Sequence, residues 1–235
     1  GLDSISKWGF FPMAHGEYSL FNGIFIPFIG ISGKHQVNSH LNIANNNYYV
    51  SPNLEYRNTF YDFNTYIGIK GKLSQHINFN VHTEFSRVRD ALFFVNDLES
   101  SYGNQFQAIY DTMYQLDLAA GISYQFEDNL KIDLNANYYF YSLKNEAYAW
   151  NRPDFQIKLR ASYVLAKKFY IKTDLLLQGG RKAKGVFTEG SDGFIPVFHK
   201  LGFLADANLS FEYRYSNKIS VFAEFNNLAA QRYKR

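Results

Sequence analysis

The sequence predicts an all-β chain, an antiparallel up-and-down transmembrane β-barrel of about ten strands. Three observations carry that expectation. Apolar and polar residues alternate along one segment after another, turns of about three residues alternate with long loops, and aromatic residues abound. The 235 residues include 23 Phe and 19 Tyr against two Met. Aromatic rings suit strands, and they also form the girdles where a barrel meets the lipid headgroups.

The first hairpin is expected from about Trp8 to Leu20, through the turn Phe21-Asn22-Gly23, and back over about Ile24 to Gly33. Pro27 interrupts the second arm and has no N–H for the ladder, so a bulge or poorly paired stretch is expected there. A polar loop of about 25 residues follows, rich in Asn38, Asn42, Asn45, Asn46 and Asn47. The second hairpin sets Phe63, Ile67, Ile69 and Leu73 on one face against Asp62, Asn64, Lys70 and Lys72. It turns at Ser74-Gln75-His76 and resumes with Ile77, Phe79, Val81 and Phe85 against Asn78, Asn80, His82 and Glu84. Successive strand side chains point to opposite faces, so each arm has one greasy and one wet side.

A long loop through Asn96 and Tyr102 leads to the third and most regular hairpin. Leu116, Leu118, Ala120, Ile122, Tyr124 and Phe126 oppose Gln115, Asp117, Ser123 and Gln125; after Glu127-Asp128-Asn129 come Leu130, Ile132, Leu134 and Ala136. The fourth hairpin pairs Phe155 to Tyr163 with Phe169 to Leu177 across Ala166-Lys167-Lys168. The fifth runs Leu201 to Tyr215, turns at Ser216-Asn217-Lys218 and returns through Ile219, Val221, Ala223 and Phe225. Short turns at one end and long loops at the other are the arrangement of outer-membrane barrels. The arms exceed the ~9–11 residues needed to cross a bilayer, so they should project above it.

Composition narrows the function classes. A net charge of +3, of mixed sign, gives no field that demands nucleic acid. Mean hydropathy is −0.30, as expected of strands that are half polar. The absence of Cys excludes disulfides, thiolate metal sites and a lipidated cysteine from these residues. The chain starts at Gly1 without a charged and then apolar leader, so an export signal is expected to have been removed or to lie elsewhere. A soluble β-sandwich explains the period-two pattern equally well. It accounts less well for five repeats of short turn and long loop, or for an apolar face supplied by every strand.

The segment Ile219-Ser-Val-Phe-Ala-Glu-Phe-Asn-Asn-Leu-Ala-Ala-Gln-Arg-Tyr233 carries the most specific local signal. It resembles the late-strand segment of TonB-dependent outer-membrane receptors, in which an alternating strand ends in an Asn-Leu or Asn-Val pair with a tyrosine soon after. The matching positions are Asn227, Leu228 and Tyr233; Ala229-Ala230 stand where the family commonly has Phe-Asp or Phe-Asn. The Asn- and Tyr-rich style looks like the Bacteroidetes branch of that family. The resemblance implies the C-terminal part of a receptor barrel over residues 1–235, with plug domain and closing strand absent. It further implies bacterial outer-membrane localisation and uptake of an unknown nutrient ligand. The implied partners are outer-membrane lipid, a plug domain of the same protein, and TonB.

Loop aromatics are the candidate ligand contacts: Tyr148 and Trp150 in one loop, and Phe106 and Tyr110 near the end of another. Exposed rings there could stack on a ligand, or else pack the loops or the interfacial girdle. No catalytic residues, metal site or cofactor are expected. The six His show no metal-site spacing, and Gly179-Gly-Arg-Lys-Ala-Lys-Gly185 lacks the phosphate-loop pattern and reads as a loop rim. Glu189-Gly-Ser-Asp-Gly193 lacks the ligand ladder of a calcium loop. Alternatives to the receptor are a porin-like passive channel or scaffold, and an outer-membrane hydrolase using His199 and Asp192.

Overall fold

In the computed structural model, residues 10–97, 101, 104–190, 193–216 and 218–230 are described, with the side chains of all of these except 186–197. Ten strands form one sheet in which each is hydrogen-bonded to its neighbour in order. They are β1 (Met13–Glu17), β2 (Ile26–Gln36), β3 (Thr59–Lys72), β4 (Ile77–Asn96), β5 (Phe106–Phe126), β6 (Leu130–Leu143), β7 (Phe155–Leu165), β8 (Phe169–Gly179), β11 (Leu204–Ser216) and β12 (Ile219–Phe225). Between β8 and β11 a separate hairpin, β9 (Lys182–Gly190) and β10 (Gly193–Lys200), makes its own two-stranded sheet. Every pairing in both sheets is antiparallel.

The expected turns at one end are present because their residues accept unusual backbone angles. Glu127 (φ 47°), Ala166 (φ 51°) and Lys167 (φ 57°) close two of them in the left-handed region. The predicted start at Trp8 lies outside the described residues, as does Asn217 of the last turn. Pro27 does not break β2: it pairs with Ile69, and its carbonyl accepts from Tyr18 N at 3.1 Å. The missing N–H falls on the β1 side, where the named ladder has ended at Glu17 opposite Phe28. The irregularity of β2 lies instead between Ser32 and Lys34.

The two faces sort as the alternation predicts. Ile67, Ile69, Val81, Leu118, Ile122 and Leu134 stand exposed on one face. A hollow of about 1230 Å³ lies along that face, lined by Ile29, Ile67, Val81, Leu118 and Ile157 among others. The opposite face is more occluded and polar. There Asn137 Nδ2 donates to both Asp117 oxygens at 3.2 Å, and Asn64 Nδ2 reaches Glu84 at 3.4 Å. We call the apolar face outer and the polar face inner.

Two elements correct the expected loops. β4 and β5, at 20 and 21 residues, run well beyond the predicted arms, leaving only residues 97–105 between them. Ser39 caps a short helix, α1 (His40–Asn46), by accepting from Asn42 N, in the loop expected to be without regular structure.

Candidate functional site

Why β4 outgrew its predicted length is visible at Asp90. Val88 pairs with Met113, but the next pair is Ala91 with Asp111, so β4 spends one extra residue there. Asp90 takes φ 51° to absorb it. A one-residue bulge inverts the side-chain phase. Below it, odd-numbered Phe79, Val81 and Phe85 point outward. Above it, odd-numbered Ala91, Phe93 and Val95 point inward, beside Met113 and Ile109 of β5. The projection beyond the bulge therefore has an apolar inner face, and that face requires a cover.

The cover is the loop 144–154 between β6 and β7. Val88, Ala91, Phe93, Val95 and Met113 form the molecule's principal buried cluster with Ala149 and Trp150, and Tyr148 and Phe198 pack against it. Trp150 is 2 % exposed, and its Nε1–H donates to Glu146 Oε2 at 2.7 Å. Lys184 on β9 holds the same carboxylate at 3.2 Å. Tyr148 lies edge-on to Trp150 (5.5 Å) and 4.7 Å from Phe198, with the Lys182 ammonium 4.8 Å from its ring centre. The loop is also stitched to the bare edge of the projection. Asn151 Nδ2 donates to Phe94 O at 2.8 Å, and the Arg152 guanidinium donates to Leu92 O at 3.3 Å. These bonds reach across β5 and satisfy carbonyls that β3, ending its pairing near Arg89, leaves free.

Asp111 anchors the other side of the loop. Its side chain, in a residue only 3 % exposed, accepts from Asn145 N, Glu146 N and Asn145 Nδ2, each at 2.8 Å, and from its neighbour Thr112 N at 2.7 Å. Burial alone would raise its pKa. The amide donors of Glu146, Asn145 and Thr112, with the Asn145 side chain, outweigh that and hold it below the ordinary carboxyl value. A depressed folded-state pKa gives stability that is complete above the unfolded value of about 4 and is lost as pH falls through the folded value. The expected result is that acid loosens the cap below about pH 4, read as a change in Trp150 emission, and that Asp111→Asn flattens this step. An acid transition of equal amplitude in the Asn variant would assign it to another carboxyl.

Two small cavities flank the cap. One of about 220 Å³ is lined by Tyr139, Tyr141, Tyr148, Arg152, Asp154 and Lys182, among others. Gly180, at φ 77°, lets the chain turn there, since an added Cβ would lie 2.4 Å from Asp154. The second, about 260 Å³, is lined by Gln36, Asn46, Thr59, Tyr61, Trp150 and Arg152, with residues 92–94 and 151. The 1230 Å³ hollow is larger but lies on the apolar outer face, away from these polar groups.

The structure thus gathers only part of the predicted set. Tyr148 and Trp150 meet in the cap, but Trp150 is interior and presents no ring face to solvent. Phe106 and Tyr110 are strand residues of β5, not loop residues. Phe106 is buried where the β2–β3 loop crosses β5, accepting from Ser51 N at 2.7 Å. Tyr110 is half-buried on the outer side, with the Arg57 guanidinium 5.8 Å from its ring centre. Asn227 turns the chain back after β12 at φ 53°, its N–H donating to Asn208 at 2.9 Å, while Leu228 N donates to Ala207 O. Tyr233 and Asp192 lie outside the described residues. His199 is exposed on β10, and among the described residues no three His, Cys, Asp or Glu gather as a metal site. Asp111, Glu146, Arg152 and Lys184 were missed; the signals available were an acid breaking the strand pattern and the basic segment read as a loop rim.

No protein-family model and no curated protein matches this chain. Solved structures do. The ferripyoverdine receptor of the outer membrane of Pseudomonas aeruginosa superposes with a TM-score of 0.63 at 14 % identity, over 95 % of this chain and 29 % of that one. The copper transporter OprC gives 0.60 at 15 % identity, covering 93 % of this chain and 33 % of that one. The ferric-catecholate import receptor Fiu from Escherichia coli K12 gives 0.60 at 12 % identity, over 94 % and 31 %. Ten neighbouring antiparallel strands with an apolar outer face therefore have the fold of part of an outer-membrane receptor barrel. The chain spans about a third of the length of these structures.

Proposed function

We propose that this chain is part of the barrel wall of a TonB-dependent outer-membrane receptor that takes up a nutrient, with no catalytic role. The observation that carries the reading is the exposed apolar face supplied by successive strands of a sheet whose fold is shared with such receptors. Leaving that much apolar surface in water is unfavourable at about 25 cal/mol per Å², so the face calls for a nonpolar partner, here lipid. The inner face, rich in Glu84, Asp117, Asn137 and Lys158, would meet water and a plug domain. The outward edges of β1 and β12, which lack a partner strand among the described residues, would be joined by further strands. The cap of loop 144–154 would sit over the mouth, where a ligand arrives, and of the expected contacts Tyr148 would be the one to meet it.

The test is expression of the full-length protein in a Gram-negative host. It should band with outer membranes on a density gradient, resist carbonate extraction and migrate faster on gels unheated than boiled. Ligand uptake should stop when TonB is deleted. Recovery in the soluble fraction would sink the membrane reading, and uptake indifferent to TonB would convert it to a passive channel.

A further inference from the structure

We propose that Arg152 is the anion-holding residue of a small-molecule site in the 260 Å³ cavity, and that its ligand carries an oxyanion, a carboxylate or a phosphate. The inference rests on the receptor reading for its biological sense and deepens it by naming the chemistry of the ligand.

The first observation is an uncompensated charge. The guanidinium of Arg152 lies 4.7 Å from the Phe93 ring centre and gives one bond, at 3.3 Å, to the Leu92 carbonyl. A guanidinium has five N–H donors and stays charged at any pH a protein survives. No carboxylate of a described residue forms an ion pair with Arg152; Asp154, two residues on, is engaged by Lys182 at 3.7 Å. Two other arginines of the same rim are matched, although Arg181 forms no ion pair among the described residues. Arg89 holds Asp62 at 2.6 Å, and Arg57 holds Glu55 at 2.8 Å. Burial without a counter-charge also holds the Arg152 pKa below the ordinary arginine value. Arg152 is partly buried, and a guanidinium with no acidic partner beside an aromatic wall is one that an anion delivered from outside would neutralise.

The second observation is the cavity itself. Among the described residues Arg152 is its one charged lining residue, and Gln36, Asn46, Thr59 and Tyr61 supply neutral polar groups around it. Trp150 and Phe93 give it aromatic walls. A cavity with a few polar groups on aromatic walls suits a small ligand, and this one is slightly below the ~300–1,000 Å³ usual for a drug-sized molecule. The neighbouring 220 Å³ cavity, which Arg152 also lines, differs in holding the Asp154 carboxylate beside Lys182. A planar guanidinium pairs with carboxylate or phosphate through two parallel bonds, which a chloride ion cannot form.

The experiment uses the full-length protein in detergent micelles, with a Trp150→Phe variant to subtract the emission of every other indole. Titration with citrate and, separately, with inorganic phosphate is compared with chloride at matched ionic strength. The expected result is a saturable change in Trp150 emission with at least one of the two, and the tighter of them identifies the oxyanion. Arg152→Gln should weaken that binding about tenfold or more, and Arg152→Lys by less, because it keeps the charge and loses the fork. No saturable change beyond that of chloride, or an equal dissociation constant in the Gln variant, overturns the proposal. Should that variant not fold, the unsubstituted side chain decides: saturating anion must protect Arg152 from phenylglyoxal, read by peptide mass spectrometry, and unchanged labelling overturns it. Binding by a protein that stays out of the membrane would keep this inference and remove the receptor reading. Insertion without oxyanion binding would do the reverse.

Discussion

Trp150→Ala is expected to open the cap while leaving the sheet below it intact. The indole is the largest fully buried side chain among the described residues, enclosed by Phe93, Val95, Met113 and the loop that carries it. Truncating a buried Trp to Ala costs about 3–5 kcal/mol, from lost transfer energy and from the cavity left behind. At 1.4 kcal/mol per factor of ten, that is roughly two to three and a half powers of ten in the opening equilibrium of the cap. Two further losses act in the same direction. Glu146 gives up the 2.7 Å bond from Nε1, and the Lys184 side chain gives up the ring 5.8 Å from its ammonium. The measurement is limited proteolysis in micelles, with cleavage mapped within residues 144–154. Cleavage there should rise by at least tenfold, whereas far-ultraviolet circular dichroism should change little, because strand pairing does not depend on the loop. Trp150→Phe, which keeps an aromatic filler, should fall between the two. Cleavage in the Ala variant within twofold of the unsubstituted protein would show that the loop is held by its edge bonds and the Asp111 anchor alone.

How much of this could be read from the residues depends on which physical rule governed each element. Period-two alternation held wherever a strand kept one face to each environment, so the lower halves of β3 to β8 and their turns were legible, as were both faces. It failed at Asp90, where one added residue reversed the phase and made a continuing strand look like a loop of irregular polarity. Phe106 and Tyr110 belong to the partner stretch of β5, whose apolar residues fall on both faces beyond the bulge and so lack the alternation. The β9–β10 hairpin was hidden in the same way, since Lys182, Lys184 and the glycines around them read as a basic rim. Trp150 was singled out correctly as exceptional, but a loop position does not disclose burial; that follows only from the apolar inner face it covers. Arg152 lies in the same loop, but its significance is the lack of an acid nearby in space, which spacing along a chain cannot show.

The second large effect separates the two faces at one depth. Leu134 and Asn135 are the fifth and sixth residues of β6 and point to the outer and inner faces. Leu134 is 40 % exposed and pairs across the ladder with Ile122 and Leu159; Asn135 is exposed beside Gly121 and Lys158. Leu134→Arg is expected to destabilise the protein folded in lipid vesicles by about 2–4 kcal/mol, the cost of a cation near the bilayer midplane. Asn135→Arg should cost no more than about 1 kcal/mol, since its charge stays in water and meets only cross-strand repulsion from Lys158. Leu130→Arg, on the outer face but beside the turn, should cost about 0–1 kcal/mol, because the penalty fades toward the interface. Denaturant-induced unfolding from vesicles measures all three. A soluble sheet that buried this face against another protein layer would also reject Arg at Leu134, so that substitution alone does not discriminate. The depth gradient does: lipid thins out toward the headgroups, and a packed protein core has no reason to follow that profile. Equal penalties at Leu130 and Leu134 would therefore argue against lipid as the partner of the apolar face, and a steep difference would fix where along β6 the membrane ends.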